Sequence, residues 1–358
     1  MKTDTTTLLT DFTAGRRVAL ARVISMIENG RPGFRDLLGA LHSRLGTAHR
    51  IGITGPPGAG KSTLTAALIR HYREAGETVG VVAVDPTSPF TGGALLGDRI
   101  RMNDVSMDSG VFVRSMATRG SLGGLALAPK EVTDVMDAYG FDRVIVETVG
   151  VGQSELDVAA AADSTVVVLV PESGDGIQAM KAGLMEAADL FVINKADRPG
   201  ADRLAREVSM MLHMRSGSTM RNVPAHHGVD LKRVSRKPST ADAATAPGDV
   251  HAPDPATWPI PVMKTVAATA DGVDELAATL DRHRTWLKES GELSRRRRQR
   301  LSERVRDEVA RSLQLMAWQD GGGQSVLDAE LPRLEAGETT PYEVAARIVE
   351  RAVERGFS

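Results

Sequence analysis

Residues 50–62 read RIGITGPPGAGKS. The first five, Arg50–Thr54, are a short strand-like run. The next eight, GPPGAGKS at 55–62, fit G-x-x-x-x-G-K-[ST], and a helical stretch running toward Arg73 follows. Strand, glycine-rich turn and helix in that order are the context a phosphate-binding loop requires. Gly55, Gly58 and Gly60 let backbone amides close around phosphate oxygens without side-chain obstruction. Pro57, Ala59 and Thr63 complete the loop and its exit into the helix. Lys61 is the residue to neutralise β- and γ-phosphates, and the Ser62 hydroxyl is the one to ligate Mg²⁺.

The same alternation extends outward from this loop. Strand-like runs at Arg50–Thr54, Thr78–Val84, Val111–Arg114, Arg143–Glu147, Thr165–Val170, Leu190–Ile193 and Val262–Val266 alternate with longer helical stretches. Several are apolar throughout, which suits strands covered on both faces. Alternation of this kind implies right-handed crossovers and a mostly parallel sheet flanked by helices. The expected fold class is therefore an α/β P-loop NTPase.

NKAD at 194–197 directly follows the run Leu190–Ile193. It falls at a carboxyl end of the sheet, where open α/β folds bind ligands. Asp197 offers two carboxylate oxygens to the two neighbouring N–H donors of a guanine edge, which adenine does not present. Asn194 can tie this loop to the phosphate loop, and the Lys195 stem can lie over the purine. With the phosphate loop upstream, NKAD points to GTP and GDP rather than ATP. Asp85 ends the second run, Glu147 ends the fourth and precedes TVGVG at 148–152, and Asp98 lies in GDRIRM at 97–102. Carboxylates at such positions can hold Mg²⁺ directly or through water.

The chain has 358 residues, 44 basic and 46 acidic side chains, and no cysteine. Absence of cysteine excludes disulfides, iron–sulfur clusters and cysteine-ligated zinc within the chain. A formal net charge of −2 argues against a dedicated nucleic-acid binder. The apolar runs are too short for a transmembrane helix. MKTDTTTLLTDF at the start has acidic residues where a signal peptide is basic, so the expected compartment is the cytoplasm.

Three further regions flank or interrupt the alternation. Residues 1–48 read as an N-terminal helical extension, with Leu20, Val23, Ile24 and Ile27 on one face and Asn29-Gly30 as a stop. A second helix is expected from Leu37, Leu38, Leu41 and Leu45. Residues 217–257 are rich in Pro, Ala, Thr, Ser and His and read as a flexible insertion in a P-loop domain spanning 49–272. Residues 273–358 read as a helical arm: Asp274–Leu287, Ser294–Leu315 with Leu301, Val305 and Val309 on one face, and two short helices after Gly321–Gly323. Thr340-Pro341 suits the start of the last one.

These segments resemble the MeaB/ArgK GTPases, whose human member is the methylmalonic aciduria type A protein. The resemblance is carried by GPPGAGKST at 55–63, VDPTSPFTGGALLGDRIRM at 84–102, VRSMATRGSLGGLA at 113–126, VETVGVGQSE at 146–155, GDGIQAMKAGLMEAAD at 174–189 and NKAD at 194–197. It covers nearly the whole chain. It implies a fold of the signal-recognition-particle/MinD-like class with a C-terminal dimerisation arm, hence a homodimer. It also implies a GTP-hydrolysing chaperone that protects an adenosylcobalamin-dependent acyl-CoA mutase, such as methylmalonyl-CoA mutase, and gates its cofactor loading. By the same resemblance Asp85 and Asp98 belong to a first switch, Glu147 to a second, and Asp175, Gln178 and Lys181 to a third that responds to the mutase. Gly176 stands where the family often carries glutamate. Val266-Ala267 stands where its guanine-closing loop usually reads S-A, and the backbone N–H of Ala267 is expected to serve.

No glutamine stands at an obvious water-orienting position in ETVGVGQSE except Gln153. The expectation is slow intrinsic turnover, accelerated by a partner. Two rival readings share the phosphate loop. One is a nickel-type metal-delivery GTPase, prompted by His213, His226, His227 and His251. The other is a scaffold using GTP only as a structural ligand. The older family label of kinase for periplasmic amino-acid-binding proteins finds no phospho-acceptor site or export signal here. Arg295–Arg298 and Arg300 are flanked by Glu289, Glu292, Glu303 and Asp307, which reads as a solvated helix face or a dimer surface rather than a nucleic-acid surface.

Overall fold

The computed structural model describes residues 2–86, 103–118, 127–148, 154–172, 182–215, 257–320 and 322–356. They form two compact units, 1–293 and 294–358.

The first unit opens with three helices, α1 (Lys2–Thr13), α2 (Arg17–Glu28) and α3 (Phe34–Leu41). Seven strands and seven helices then follow: β1 (His49–Thr54), α4 (Lys61–Glu74), β2 (Val79–Pro86), α5 (Asn103–Ser106), β3 (Val111–Thr118), α6 (Leu127–Tyr139), β4 (Arg143–Thr148), α7 (Ser154–Ala161), β5 (Ser164–Leu169), α8 (Ala182–Ala187), β6 (Leu190–Asn194), α9 (Ala201–Arg215), β7 (Val262–Thr265) and α10 (Val273–Glu289). The strands form one sheet in the order β3-β2-β4-β1-β5-β6-β7. Every pairing is parallel. All seven expected runs are strands, and the P-loop α/β fold class is the one observed.

The apolar runs bury both faces of the sheet, because successive side chains point to opposite sides. Ile51, Ile53, Ile145, Val166 and Val168 face a core built with α4 and with Val273, Leu276, Ala277 and Leu280 of α10. Val82, Val144 and Val146 face the opposite side, where α6 and the N-terminal helices pack. Val167, Leu169, Phe191 and Ile193 form a third cluster with α9. The sequence boundary at 273 thus opens a helix whose apolar face belongs to the sheet core. The expected stripe Leu20, Val23, Ile24 and Ile27 is buried, and α2 stops at Asn29 with Gly30 at φ +56°. The N-terminal helical extension is broken before Arg17, where Gly15 takes φ +75°. The insertion 217–257 lies almost wholly outside the described residues.

Two buried polar networks hold the amino ends of the strands. Asp137 is fully buried and accepts the backbone N–H groups of Gly46, Thr47 and Ala48 at 2.9, 3.1 and 2.9 Å. Arg50 adds two charge-assisted bonds at 2.7 and 3.2 Å. Burial pushes the Asp137 carboxyl up, but Arg50 and these amides outweigh it and hold it below the usual range. That carboxylate ties the exit of the N-terminal helices to β1 and α6.

The second network runs across three strands. Arg143 Nη1 lies 2.9 Å from His49 Nδ1. A guanidinium only donates, so Nδ1 accepts and Nε2 carries the hydrogen given to Ser164 Oγ at 2.7 Å. The Ser164 hydroxyl passes to His283 Nδ1 at 2.8 Å, and His283 Nε2 faces Asp189 Oδ1 at 3.4 Å. Burial keeps His49 well below its ordinary value of 6.5; Asp163 opposes this and Arg143 reinforces it.

In the second unit, α11 (Glu292–Leu315) continues from Ser294 into a π-helical turn at Met316–Asp320, then α12 (Gly323–Glu335) and α13 (Pro341–Gly356). Both short helices stand where expected, with Pro341 at the first helical position. Val344, Ile348 and Ala352 of α13 are buried. Glu330 of α12 pairs with Arg347 of α13 at 2.8 Å. Leu301, Val305 and Val309 on α11 are about half exposed or more, at 49%, 64% and 52%.

His49 generates a pH prediction. Its folded pKa is depressed, so the unfolded chain takes up a proton near pH 6.5 while the folded chain does not. Stability is therefore lost as pH falls below about 6.5, with a limiting slope of about 1.4 kcal/mol per pH unit for one proton. Urea unfolding followed by tryptophan fluorescence between pH 7.5 and 5 is expected to show this loss. His49→Gln, which keeps a polar side chain without the titration, is expected to flatten it.

Candidate functional site

β1 is the central strand of the site, with β4 on one side and β5 on the other. Where their pairing ends, the chain turns into the loop 55–60. Gly55 is at φ +137°, and a Cβ there would sit 2.1 Å from the Val168 carbonyl oxygen. The loop therefore passes over β5 at a distance only glycine permits. Gly58, at φ +77°, has open space where a Cβ would project. Gly60, at φ +82°, caps α4, and Ala59 is fully buried. Pro57 is exposed and Thr63 half-buried.

Lys61 is 6% exposed, and its Nζ donates to Gly55 O at 2.9 Å and Pro56 O at 3.0 Å. The ammonium is thereby folded back over the loop. Ser62 Oγ donates to Glu147 Oε1 at 2.6 Å. Glu147 is the last residue but one of β4, in register with Ile53 of β1, and is 2% exposed. Its other oxygen, Oε2, accepts the Thr65 hydroxyl at 2.7 Å. Thr65 carries no motif, but Ser62 and Thr65 lie three residues apart, so one face of α4 presents both hydroxyls. The spacing is visible in the sequence, but the partner that gives Thr65 its use lies 82 residues away.

The NKAD loop docks on the phosphate loop. Asn194 Nδ2 donates to Ala59 O at 2.8 Å. Its Oδ1 accepts from Thr265 Oγ1 at 3.2 Å and from Ala267 N at 3.1 Å. The Ala267 N–H expected to face the base thus donates to Asn194, and Ala267 is buried. Thr265, at the end of β7, is the second residue the motifs did not name. Lys195 takes the left-handed region at φ +56° and its Nζ donates to Gly58 O at 2.9 Å. Such strain in a non-glycine residue gathers at functional sites. Asp197 is exposed at the loop surface.

Asp85 is the last residue but one of β2, in register with Ala117 of β3. Asp98, Gln153, Asp175, Gly176, Gln178 and Lys181 lie outside the described residues, as do His226, His227 and His251. His213 is on α9, its Nδ1 2.7 Å from Ser209 O.

The donor set fits a nucleotide and a hard cation. The loop offers backbone amides beside an open Gly58 and a lysine held over it, with a hydroxyl–carboxylate pair at the start of α4. Oxygen donors of this type suit Mg²⁺.

Comparison with known proteins adds the family. Residues 20–321 match the family described as methylmalonyl Co-A mutase-associated GTPase MeaB. This chain belongs to the MeaB family. It is 42% identical over 341 residues to a GTPase-family protein of Pyrococcus horikoshii, covering 95% of this chain and 96% of that one. It is 38% identical over 204 residues to the mitochondrial methylmalonic aciduria type A homolog of Mus musculus, covering 53% and 49%. The crystal structure of an LAO/AO transport system kinase superposes with a TM-score of 0.63 at 25% identity, covering 98% of both chains. The MeaB-family chain is a P-loop GTPase.

Two of the three loop glycines differ testably. Gly55→Ala combines a forbidden conformation with a backbone clash, and is expected to cost about 3 kcal/mol or more. Gly58→Ala meets only the conformational penalty, about 1 kcal/mol. Thermal melts of the two variants check the order.

Proposed function

We propose that this GTPase is a chaperone of an adenosylcobalamin-dependent acyl-CoA mutase, methylmalonyl-CoA mutase or a close relative. In this reading it protects the mutase and gates its cofactor loading. The observation that carries the reading is the family match across 20–321, which spans the phosphate loop, NKAD and every segment between them.

The reaction is GTP + H₂O → GDP + phosphate. Lys61 and the loop amides bind the phosphates, and the guanine edge meets Asp197. Asn194 holds the base loop against Ala59, so base recognition and phosphate binding share one rigid frame. Ser62 and Glu147, together with Asp85 and Asp98 by the family resemblance, would hold Mg²⁺, which would supply charge neutralisation to the phosphates. The chain's own contribution is positioning and preorganised electrostatics. Asp175, Gln178 and Lys181 form the partner-responsive switch in this reading. Alone the enzyme turns over slowly, and the mutase accelerates it by ordering that switch. The half-exposed stripe Leu301, Val305 and Val309 of α11 supports pairing of two copies through the arm, and the cytoplasm is the compartment.

Turnover with and without saturating cognate mutase tests the coupling. Stimulation of about tenfold or more is expected, and an unchanged rate defeats the proposal. Lys61→Ala is expected to lose GTP binding and turnover by about 100-fold or more, and protection of the mutase with it. Protection that survives in Lys61→Ala identifies a scaffold instead. Asp197→Asn places an amide donor where guanine presents its own donors. A loss of guanine-nucleotide affinity of about 10- to 100-fold is expected, with relative gain for xanthosine diphosphate, whose C2 oxygen accepts that donor. Competition binding reads both.

A further inference from the structure

The two hydroxyls that reach Glu147 differ in standing. Ser62 belongs to the phosphate-loop motif, whereas Thr65 belongs to no motif and has no assigned role. Thr65 is fully buried, and its hydroxyl meets Glu147 Oε2 at 2.7 Å while Ser62 meets Oε1 at 2.6 Å. Both come from one face of α4, one turn apart. A β-branched threonine has few rotamers, so its hydroxyl direction is fixed by the helix. The carboxylate is gripped at both oxygens by one rigid element.

A serine oxygen that ligates a metal through a lone pair can keep donating its hydrogen. Ser62 can therefore hold Oε1 while its lone pair serves a cation. A carboxylate held at one oxygen alone can turn about its terminal torsion, and a bond at Oε2 opposes that turn. Threonine at 65 supplies that second hold. Valine there would match its shape and volume and leave Oε2 buried without this donor.

We propose that Thr65 is a positioning residue for the Mg²⁺ site, holding the Glu147 carboxylate in the orientation that Ser62 and the cation require. The inference rests on the reading of Lys61, Ser62 and Glu147 as the nucleotide and Mg²⁺ site. Partners that orient ligands in this way change metal affinity or activity by about 10- to 100-fold when removed.

The test uses the full chain and a fluorescent GDP analogue. The Mg²⁺ concentration giving half the Mg²⁺-dependent gain in GDP affinity is measured for wild type, Thr65→Val and Thr65→Ser, with a thermal melt of each. Thr65→Val is expected to raise that concentration by about tenfold while leaving GDP affinity in EDTA unchanged. Its kcat for GTP is expected to fall with KM unchanged. Thr65→Ser, which keeps the hydroxyl, is expected to restore the wild-type Mg²⁺ requirement. If Thr65→Val does not fold, Thr65→Ala takes its place with the same expectation. A wild-type Mg²⁺ requirement in the variant lacking the hydroxyl overturns the proposal. So does a Thr65→Ser protein as impaired as Thr65→Val, because the methyl group would then carry the effect. A wild-type chain with no Mg²⁺-dependent GDP binding overturns the site reading itself, and this inference with it.

Discussion

The rest of the structure depends on the burial of β1 between β4 and β5. Ile51 and Ile53 are fully buried, and the strand is paired on both sides. A strand so enclosed has its backbone groups satisfied only by its neighbours. The chain must therefore leave the sheet at the point where pairing ends, and the Val168 carbonyl stands 2.1 Å from where a Cβ on Gly55 would be. The tight loop follows from that crowding. Its amides emerge at the carboxyl edge, beside Glu147 from β4 and Asn194 from β6. Four neighbouring strand ends thus deliver the site, and no long loop is needed to place its first groups.

The two edges of the sheet use buried polarity differently. At the amino edge, Asp137 and the Arg143–His49–Ser164–His283 chain join elements that are remote in sequence. Each charge there has a partner, as burial demands. At the carboxyl edge the same bonding gathers groups around one loop: Lys61 to the carbonyls of Gly55 and Pro56, Glu147 to α4, Asn194 to Ala59 and Ala267. The first set fixes the frame. The second holds groups whose bonds a phosphate or a cation can take over, because each is a donor or acceptor of the right charge already aimed at the loop.

Much of this was legible in the sequence, for physical reasons. Strands buried on both faces are written as unbroken β-branched runs, and all seven were read. The phosphate loop and NKAD are legible because glycine, lysine and carboxylate are demanded at fixed offsets. Thr65 and Thr265 were not legible, since a threonine in a helix or at a strand end has many uses and only a partner remote in sequence gives it one. Glu147 makes its bond to Thr65 across 82 residues. The break at Gly15 was missed for a similar reason. Leu8 and Leu9 continue an apolar pattern across it and pack on the same core as Leu20, so periodicity alone does not show that the axis has turned.

A mutase chaperone and its rivals all need the same loop, the same cation and the same base edge. What separates them must lie in parts the reaction does not require. The N-terminal helices bury Phe12, Leu20, Ile24 and Leu37 against the α6 side of the sheet, which makes them part of the frame rather than an accessory. The arm is different. Its longest helix buries no side chain and carries an apolar stripe amid arginines. Apolar side chains exposed along one helix face are the kind of surface that association covers. The phosphate loop accounts for the chemistry alone, whereas the family match over 20–321 reaches well beyond it on both sides.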